Sequence, residues 1–412
     1  MSFQQTKVNL KLPFSFILSS MIALVVSQWI LFQNVDLIAE GYYRTPALWM
    51  AFHLLILGFA VMVVMGAMYQ LVPVAFLTPI WSERFGFVQF GVTIAGVLAL
   101  SVLLGFNPGH AVYGGALAIL GIIMFMFQMF MTIRKQKEKN MMTWLVTGAL
   151  VFFLLTILAG FLLAWNLSNG EILNHESLLR SHLLFGVAGW FTLLIFGFSY
   201  KLVPMFSLSH GYSMKWAKPA FIIYIAGMLV LVNAFWSMNQ LLQTTGWFLL
   251  FMAFTLFLLD IREILAKRSK KRLDRPFLFA MISVYFGWVI HFLTFIVSIL
   301  LPGHSKIWGL LIYLYLVSWV LFSILGYLKK IVPVLWWTLK YADRVGKEKV
   351  PMLKDLIREK SSVIIYSGIV AATFGNVIAV LFNSVTGLQV FQGIWFLFAL
   401  AFSISIGRIL TK

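Results

Sequence analysis

The sequence predicts an all-α polytopic membrane protein with twelve transmembrane helices in three four-helix pseudo-repeats. Three observations carry the prediction. Apolar runs of roughly 20 residues recur from end to end. The basic residues collect on one side of those runs, and one proline motif appears three times.

The apolar runs set the class. Of 412 residues, 61% are hydrophobic and 11% charged, where a soluble domain carries about a quarter charged. The mean hydropathy is +0.95. Runs lie near 14–33, 46–76, 87–106, 111–133, 142–166, 178–206, 217–237, 244–265, 277–301, 307–335, 361–383 and 388–409. Each is long enough, as a helix, to cross a hydrocarbon core of ~30 Å. The first follows Lys7 and Lys11 with no small-residue cleavage signal after it, so it reads as a retained helix.

Charge sets the orientation. The net charge of +18 would suit a nucleic-acid binder, but its distribution points to a bilayer. With the N-terminus inside and the loops alternating, 28 of the 31 Lys and Arg fall on the cytoplasmic side; only Arg44, Arg180 and Lys306 fall outside. The blocks "RKQKEKN" (134–140), "REILAKRSKKRLDR" (262–275) and "KYADRVGKEKVPMLKDLIREK" (340–360) share that side. This is the positive-inside pattern of a multi-pass cell-membrane protein with both termini cytoplasmic. It suits anionic lipid contact and implies no nucleic acid. The chain has no cysteine, which excludes disulfides and thiolate metal sites.

The repeated motif sets the internal organisation. "GAMYQLVP" ends at Pro73, "GFSYKLVP" at Pro204 and "GYLKKIVP" at Pro333, spaced by 131 and 129 residues. In each the glycine (Gly66, Gly197, Gly326) stands seven residues before the proline. A fixed period of this kind marks internal repeats, here about 1–140, 141–275 and 276–412 within one membrane domain. The marked helices are the second, sixth and tenth. Proline there reads as ending or kinking each helix at its cytoplasmic exit, and glycine as permitting close packing.

Histidine carries the functional reading. His110, His175, His210 and His304 fall in or beside loops. His53, His182 and His291 fall inside helices, two turns or more from the predicted outer boundary, where an imidazole is costly without a partner. Gly186 and Gly189 lie below His182, Leu57 and Ala60 follow His53, and Gly287 precedes His291. Small neighbours leave room for a flat macrocycle, and haem iron takes neutral imidazole as an axial ligand. The competing reading is an interhelical hydrogen bond from each ring. All 13 acidic residues read as loop or helix-end residues, with Asp260 the deepest, so the carboxylate or lysine that a transporter needs at midplane is missing. Asn233, Asn376 and Thr192 read as membrane glue.

Twelve helices in three arcs of four, with a histidine on the second helix and "MYQLVP" about twenty residues on, resemble the catalytic subunit I of haem-copper oxidases and nitric oxide reductases. The resemblance implies that His53 binds a haem from the outer side, and that "SERFGF" (82–87) falls in an inner loop. The chain departs from the pattern at three places. The tenth helix carries Leu311, Ile312 and Tyr313 where that family carries two histidines. The stretch 217–237 has no copper-binding His-His pair, and His182 has no Tyr or Glu close behind it. A haem-copper binuclear centre is therefore not expected. A second resemblance is to the NnrS family of haem- and copper-containing nitric-oxide-response proteins, through "SHLLFGVAGWFTLLIFG" and "SLSHG" (207–211).

Together these imply a membrane haem protein, b-type, in redox or nitric oxide and gas chemistry. The cofactor-binding candidates are His53, His182 and His291. Arg44 and Arg180 are candidates to pair with haem propionates, and the opposite axial position falls to His291, to a tyrosine such as Tyr313, or to an open site. The implied partners are the lipid bilayer and a redox partner or gas ligand. If it is an enzyme, it is an oxidoreductase. The alternative is a transporter or a haem- or copper-handling assembly protein on the same scaffold. The 19 Met give copper handling no cluster in an outer loop.

Overall fold

The computed structural model describes residues 9–171 and 173–411; Lys7 and Lys412, counted above among the basic residues, lie outside the described residues. The long helices are α1 (Lys11–Gln33), α2 (Pro46–Phe76), α3 (Glu83–Phe106), α4 (Ala111–Ile133), α5 (Met141–Asn169), α6 (His175–Ser207), α7 (Ala217–Ser237), α8 (Gln240–Ala266), α9 (Arg275–Leu300), α10 (Ser305–Arg344), α11 (Glu359–Leu381) and α12 (Val385–Gly407). Eleven of them are long and apolar enough to cross a membrane. The exception, α8, is as long as its neighbours but carries Asp260, Arg262 and Glu263 in its last turns. "SERFGF" is not a loop: Ser82 accepts a hydrogen bond from the Phe85 amide as N-cap, and the rest opens α3.

The three motif helices are the buried ones. In α2, α6 and α10 the apolar window is 61, 78 and 67% buried, against 28–50% in the other eight spans. Each carries a stretch of π-helix: Leu54–Val61, Leu184–Thr192 and Tyr315–Leu321. All three stretches end twelve residues before the motif proline. The prolines sit inside their helices and do not end them. α2 and α6 stop four residues later, where Leu77 and Leu208 adopt left-handed backbone (φ 52° and 54°), while α10 runs on past Tyr341. Each proline removes the amide that would bond one turn back and its ring crowds that carbonyl, a local cost that does not end the helix here.

Each motif glycine touches the helix that precedes its own. A Cβ on Gly66 would stand 2.8 Å from Phe16 Cβ on α1. On Gly197 it would stand 3.2 Å from Leu145 Cβ on α5, and on Gly326 2.7 Å from the Ala280 amide on α9. The same device joins α3 to α4 backbone to backbone. A Cβ on Gly114 would meet the Leu100 amide at 2.5 Å, one on Gly121 the Thr93 Cα at 2.6 Å, and one on Gly96 the Ala118 amide.

The chain divides into two compact units. The described parts of Met1–Lys137, Leu167–Asn169 and Tyr327–Lys412 form the first, and those of Glu138–Asn166 and Gly170–Gly326 the second. The first unit holds α1–α4, α11, α12 and the later part of α10. The second holds α5–α9 and the earlier part of α10.

Two stability changes follow. Gly114→Val forces the α3–α4 backbones apart and costs about 1–3 kcal/mol. Leu208→Gly, at an exposed left-handed position, relieves strain of about 1 kcal/mol. Thermal unfolding in detergent checks both, with a lower midpoint expected for the first and a higher one for the second.

Candidate functional site

The three predicted histidines take three different environments. His53 closes the α-helical first part of α2, immediately before the π stretch. Its Nδ1–H donates to the Trp49 carbonyl one turn back, at 2.8 Å. A carbonyl only accepts, so Nε2 carries the lone pair, and no described residue is recorded as its partner. Phe52, His53, Ile56 and Leu57 are half-buried on a helix whose opposite face is fully buried, with Gly58 pressed against Ala23 of α1.

His182 turns toward α5. Its Nδ1–H donates to the Thr156 carbonyl at 2.9 Å. Its ring lies over Gly160, where an added Cβ would come within 2.8 Å of Cε1. This is an interhelical bond with a glycine notch cut for the ring. Arg180, two residues before, is exposed and ion-paired with Glu176 at 2.9 Å. Arg44 is exposed in the connection before α2.

His291 has no nitrogen left for a metal. Its Nδ1–H donates to the Gly287 carbonyl at 2.7 Å, and Tyr315 O–H donates to its Nε2 at 3.1 Å. The Tyr315 oxygen lies 2.9 Å from Thr192 Oγ1 and 3.1 Å from Tyr224 Oη. Thr192 Oγ1 accepts from Trp319 Nε1–H at 3.0 Å, and Tyr224 O–H donates to the Ala188 carbonyl at 3.0 Å. With His291 holding the Tyr315 proton, the remaining donors order into one chain, Trp319 to Thr192 to Tyr315 to His291 to Gly287. Buried polar groups need this completeness.

Aromatic rings fill the space around that chain. Phe254 lies 4.3 Å from the His291 ring and 5.0 Å from Trp319, and Phe196 stacks on Phe257 at 3.8 Å. The glycines expected to leave room for a macrocycle are covered. A Cβ on Gly287 would stand 2.5 Å from Phe254, and one on Gly189 2.6 Å from Phe152. Haem does not fit beside His291 or Gly189, because side chains of the same unit already hold that volume at packed-core distances. At His53 the donor set fits an axial ligand: a neutral imidazole with its other nitrogen anchored to a carbonyl is the tautomer that coordinates iron. No cluster of three His, Asp or Glu suited to a metal occurs among the described residues.

Sequence reasoning missed several residues. The tyrosine that reaches His291 is Tyr315, two residues beyond the Tyr313 that the proline register selects. Asp260 is fully buried: it accepts from Tyr200 Oη at 2.9 Å and from the Trp216 amide at 3.2 Å. Lys329 is also buried, 3% exposed. That lysine was visible in "GYLKKIVP", standing where the other two motifs have tyrosine.

Among solved structures the chain is similar to a haem-copper terminal oxidase dimer determined by cryo-EM. The TM-score is 0.66 at 12% identity, over 97% of this chain and 83% of that one. No family model and no curated protein matches the sequence. At that identity the likeness establishes the fold: this is a multi-pass membrane protein with an oxidase subunit I-like architecture.

The His291 chain predicts non-additive stability losses. Tyr315→Phe and Thr192→Val each cost about 1–3 kcal/mol, by leaving buried partners unpaired. The double variant costs less than the sum, because the two groups share one bond. Unfolding midpoints of the three variants in detergent check this, and strict additivity would count against a single chain.

Proposed function

We propose that the protein is a membrane haem protein holding one b-type haem with His53 as axial ligand, and that it does not reduce oxygen at a haem-copper centre. The observation that carries the reading is the His53 imidazole: Nδ1–H is fixed on Trp49 and Nε2 is left as a lone pair in an apolar, half-buried setting. When bound, a haem with one protein ligand supplies an open coordination position for a diatomic gas such as nitric oxide; with a second ligand it supplies electron transfer. Arg44, exposed in the connection leading into α2, and Arg180, exposed and ion-paired with Glu176, remain the candidates for the haem carboxylates. His182 and His291 serve packing in this reading, and copper has no ligand set.

The wider scaffold completes the proposal. Twelve spans cross the membrane with both termini on the cytoplasmic side, and α2, α6 and α10 are equivalent helices of three pseudo-repeats. The common distance from π stretch to proline supports that equivalence, as does the contact of each motif glycine with the preceding helix. The transporter or assembly reading has less behind it. Thr192 is taken up in the His291 chain, and the Asn376 amide donates to Gln392, which donates to Gln28.

A reduced-minus-oxidised visible spectrum of detergent-purified protein, expressed with ample haem, tests the reading. Wild type, His182→Ala and His291→Ala should show a Soret band, and His53→Ala should lose it or show it shifted. A colourless wild type, or a His53→Ala spectrum identical to wild type, would overturn it. A Soret shift on adding nitric oxide or carbon monoxide would identify the open position.

A further inference from the structure

A chain of buried carboxamides links α11, α12 and α1 in the first unit. Asn376 Nδ2 donates to Gln392 Oε1 at 2.9 Å, and Gln392 Nε2 donates to Gln28 Oε1 at 2.8 Å. The three side chains are between 3 and 5% exposed. Both links run the same way, so the chain ends on the Gln28 NH2. That group has two hydrogens to donate, and no described residue is recorded as their acceptor. An open donor at this burial is costly unless something outside the chain accepts from it.

One turn beyond this open end lies a cavity. Phe32 stands one turn past Gln28 on the same face of α1, and Gln389 one turn before Gln392 on α12. Both line a cavity of about 460 Å³, together with Gln33, Val35, Asp36 and Val390, a volume in the range of small-molecule sites. Gln33, Asp36 and Gln389 are exposed, and no hydrogen bond or ion pair to another described residue is recorded for their side chains. The cavity thus offers one carboxylate and two carboxamides at its rim, against an apolar wall of Phe32, Val35 and Val390. Its level follows from α1, which Gln33 closes; one turn earlier Trp29 is 46% exposed, and an exposed indole beside a span end marks the headgroup interface. The carboxyl end of α1 and the amino end of α12 border the cavity, with partial negative and positive charge respectively. A zwitterion with its cation toward Asp36 and its anion toward Gln389 matches both signs.

We propose that this cavity binds the headgroup of a phospholipid that carries a primary ammonium, phosphatidylethanolamine, in the leaflet at the carboxyl end of α1. Asp36 accepts from the ammonium, and the NH2 groups of Gln33 and Gln389 donate to the phosphate oxygens, with Gln28 donating from beneath. An anionic lipid meets the Asp36 carboxylate with like charge, and a quaternary ammonium has no N–H to give it. The site is independent of the haem reading and involves none of its residues.

Native mass spectrometry of the full chain in uncharged detergent tests it, with short-chain phosphatidylethanolamine, phosphatidylglycerol and phosphatidylcholine as probes. Wild type should retain phosphatidylethanolamine over the other two. Asp36→Asn should lower that preference about three- to fivefold. Gln389→Leu, which removes a donor to phosphate and keeps the carboxylate, should weaken retention of phosphatidylethanolamine as well. Both side chains are exposed and bonded to no other described residue, so neither variant should move the thermal midpoint. Equal retention of the three lipids by wild type, or an undiminished preference in Asp36→Asn, would overturn the proposal. Free phosphoethanolamine bound as tightly as the lipid would overturn the assignment to a lipid.

Discussion

Inside a bilayer no water is present to satisfy a stray carbonyl, and that constraint orders the rest of this structure. A π-helical stretch changes the hydrogen-bond register of a helix and leaves carbonyls off the regular ladder. In α6 one of those carbonyls is answered by a side chain, since Tyr224 donates to Ala188 O. Thr192, the last residue of the same stretch, lies 2.9 Å from Tyr315 Oη, and Tyr315 donates to His291. Helix geometry and the polar core of the second unit are therefore one network.

The same network governs the space beside His291. A haem site needs a ligand lone pair and an unfilled slab of space. Beside His291 the lone pair is bound to Tyr315, and the slab holds Phe254, Trp319, Phe196 and Phe257, all at most 1% exposed. Opening it would expose both polar chain and aromatic faces, a loss on the scale of several large-to-small core substitutions, each about 3–5 kcal/mol. His53 meets the opposite conditions, with an anchored ring, a spare nitrogen and partly uncovered neighbours.

The fold was largely legible in the sequence because its determinants are local and repetitive. Apolar length gave the spans to within a few residues, and α2, α4 and α7 match their predicted limits or start and end with them. The motif glycines announced their close contacts, since only a missing Cβ permits them. What the sequence hid was the direction in which each histidine points. His182 and His53 look alike in one dimension, yet one donates across to α5 and the other to its own helix. The π stretches explain the failure: they rotate the following residues out of the α-helical register, so counting back from Pro333 selects Tyr313 and the structure uses Tyr315. Small neighbours were misread for a related reason. A glycine records that something approaches closely, and at Gly189 and Gly287 that something is a phenyl ring of the same unit.

The three motif helices separate what the scaffold needs from what it leaves variable. Glycine contact, π stretch and in-helix proline recur at α2, α6 and α10, so those features belong to packing. The groups that differ are the imidazole, anchored to its own helix on α2 and to α5 from α6, and the donor four residues before the proline, a phenol on α2 and α6 and a lysine on α10. A buried lone pair is retained at a cost in stability. His53 and Lys329 both belong to the first unit. In the second unit the chain from Trp319 to Gly287 is closed at each bond, and that closure turns His291 to packing.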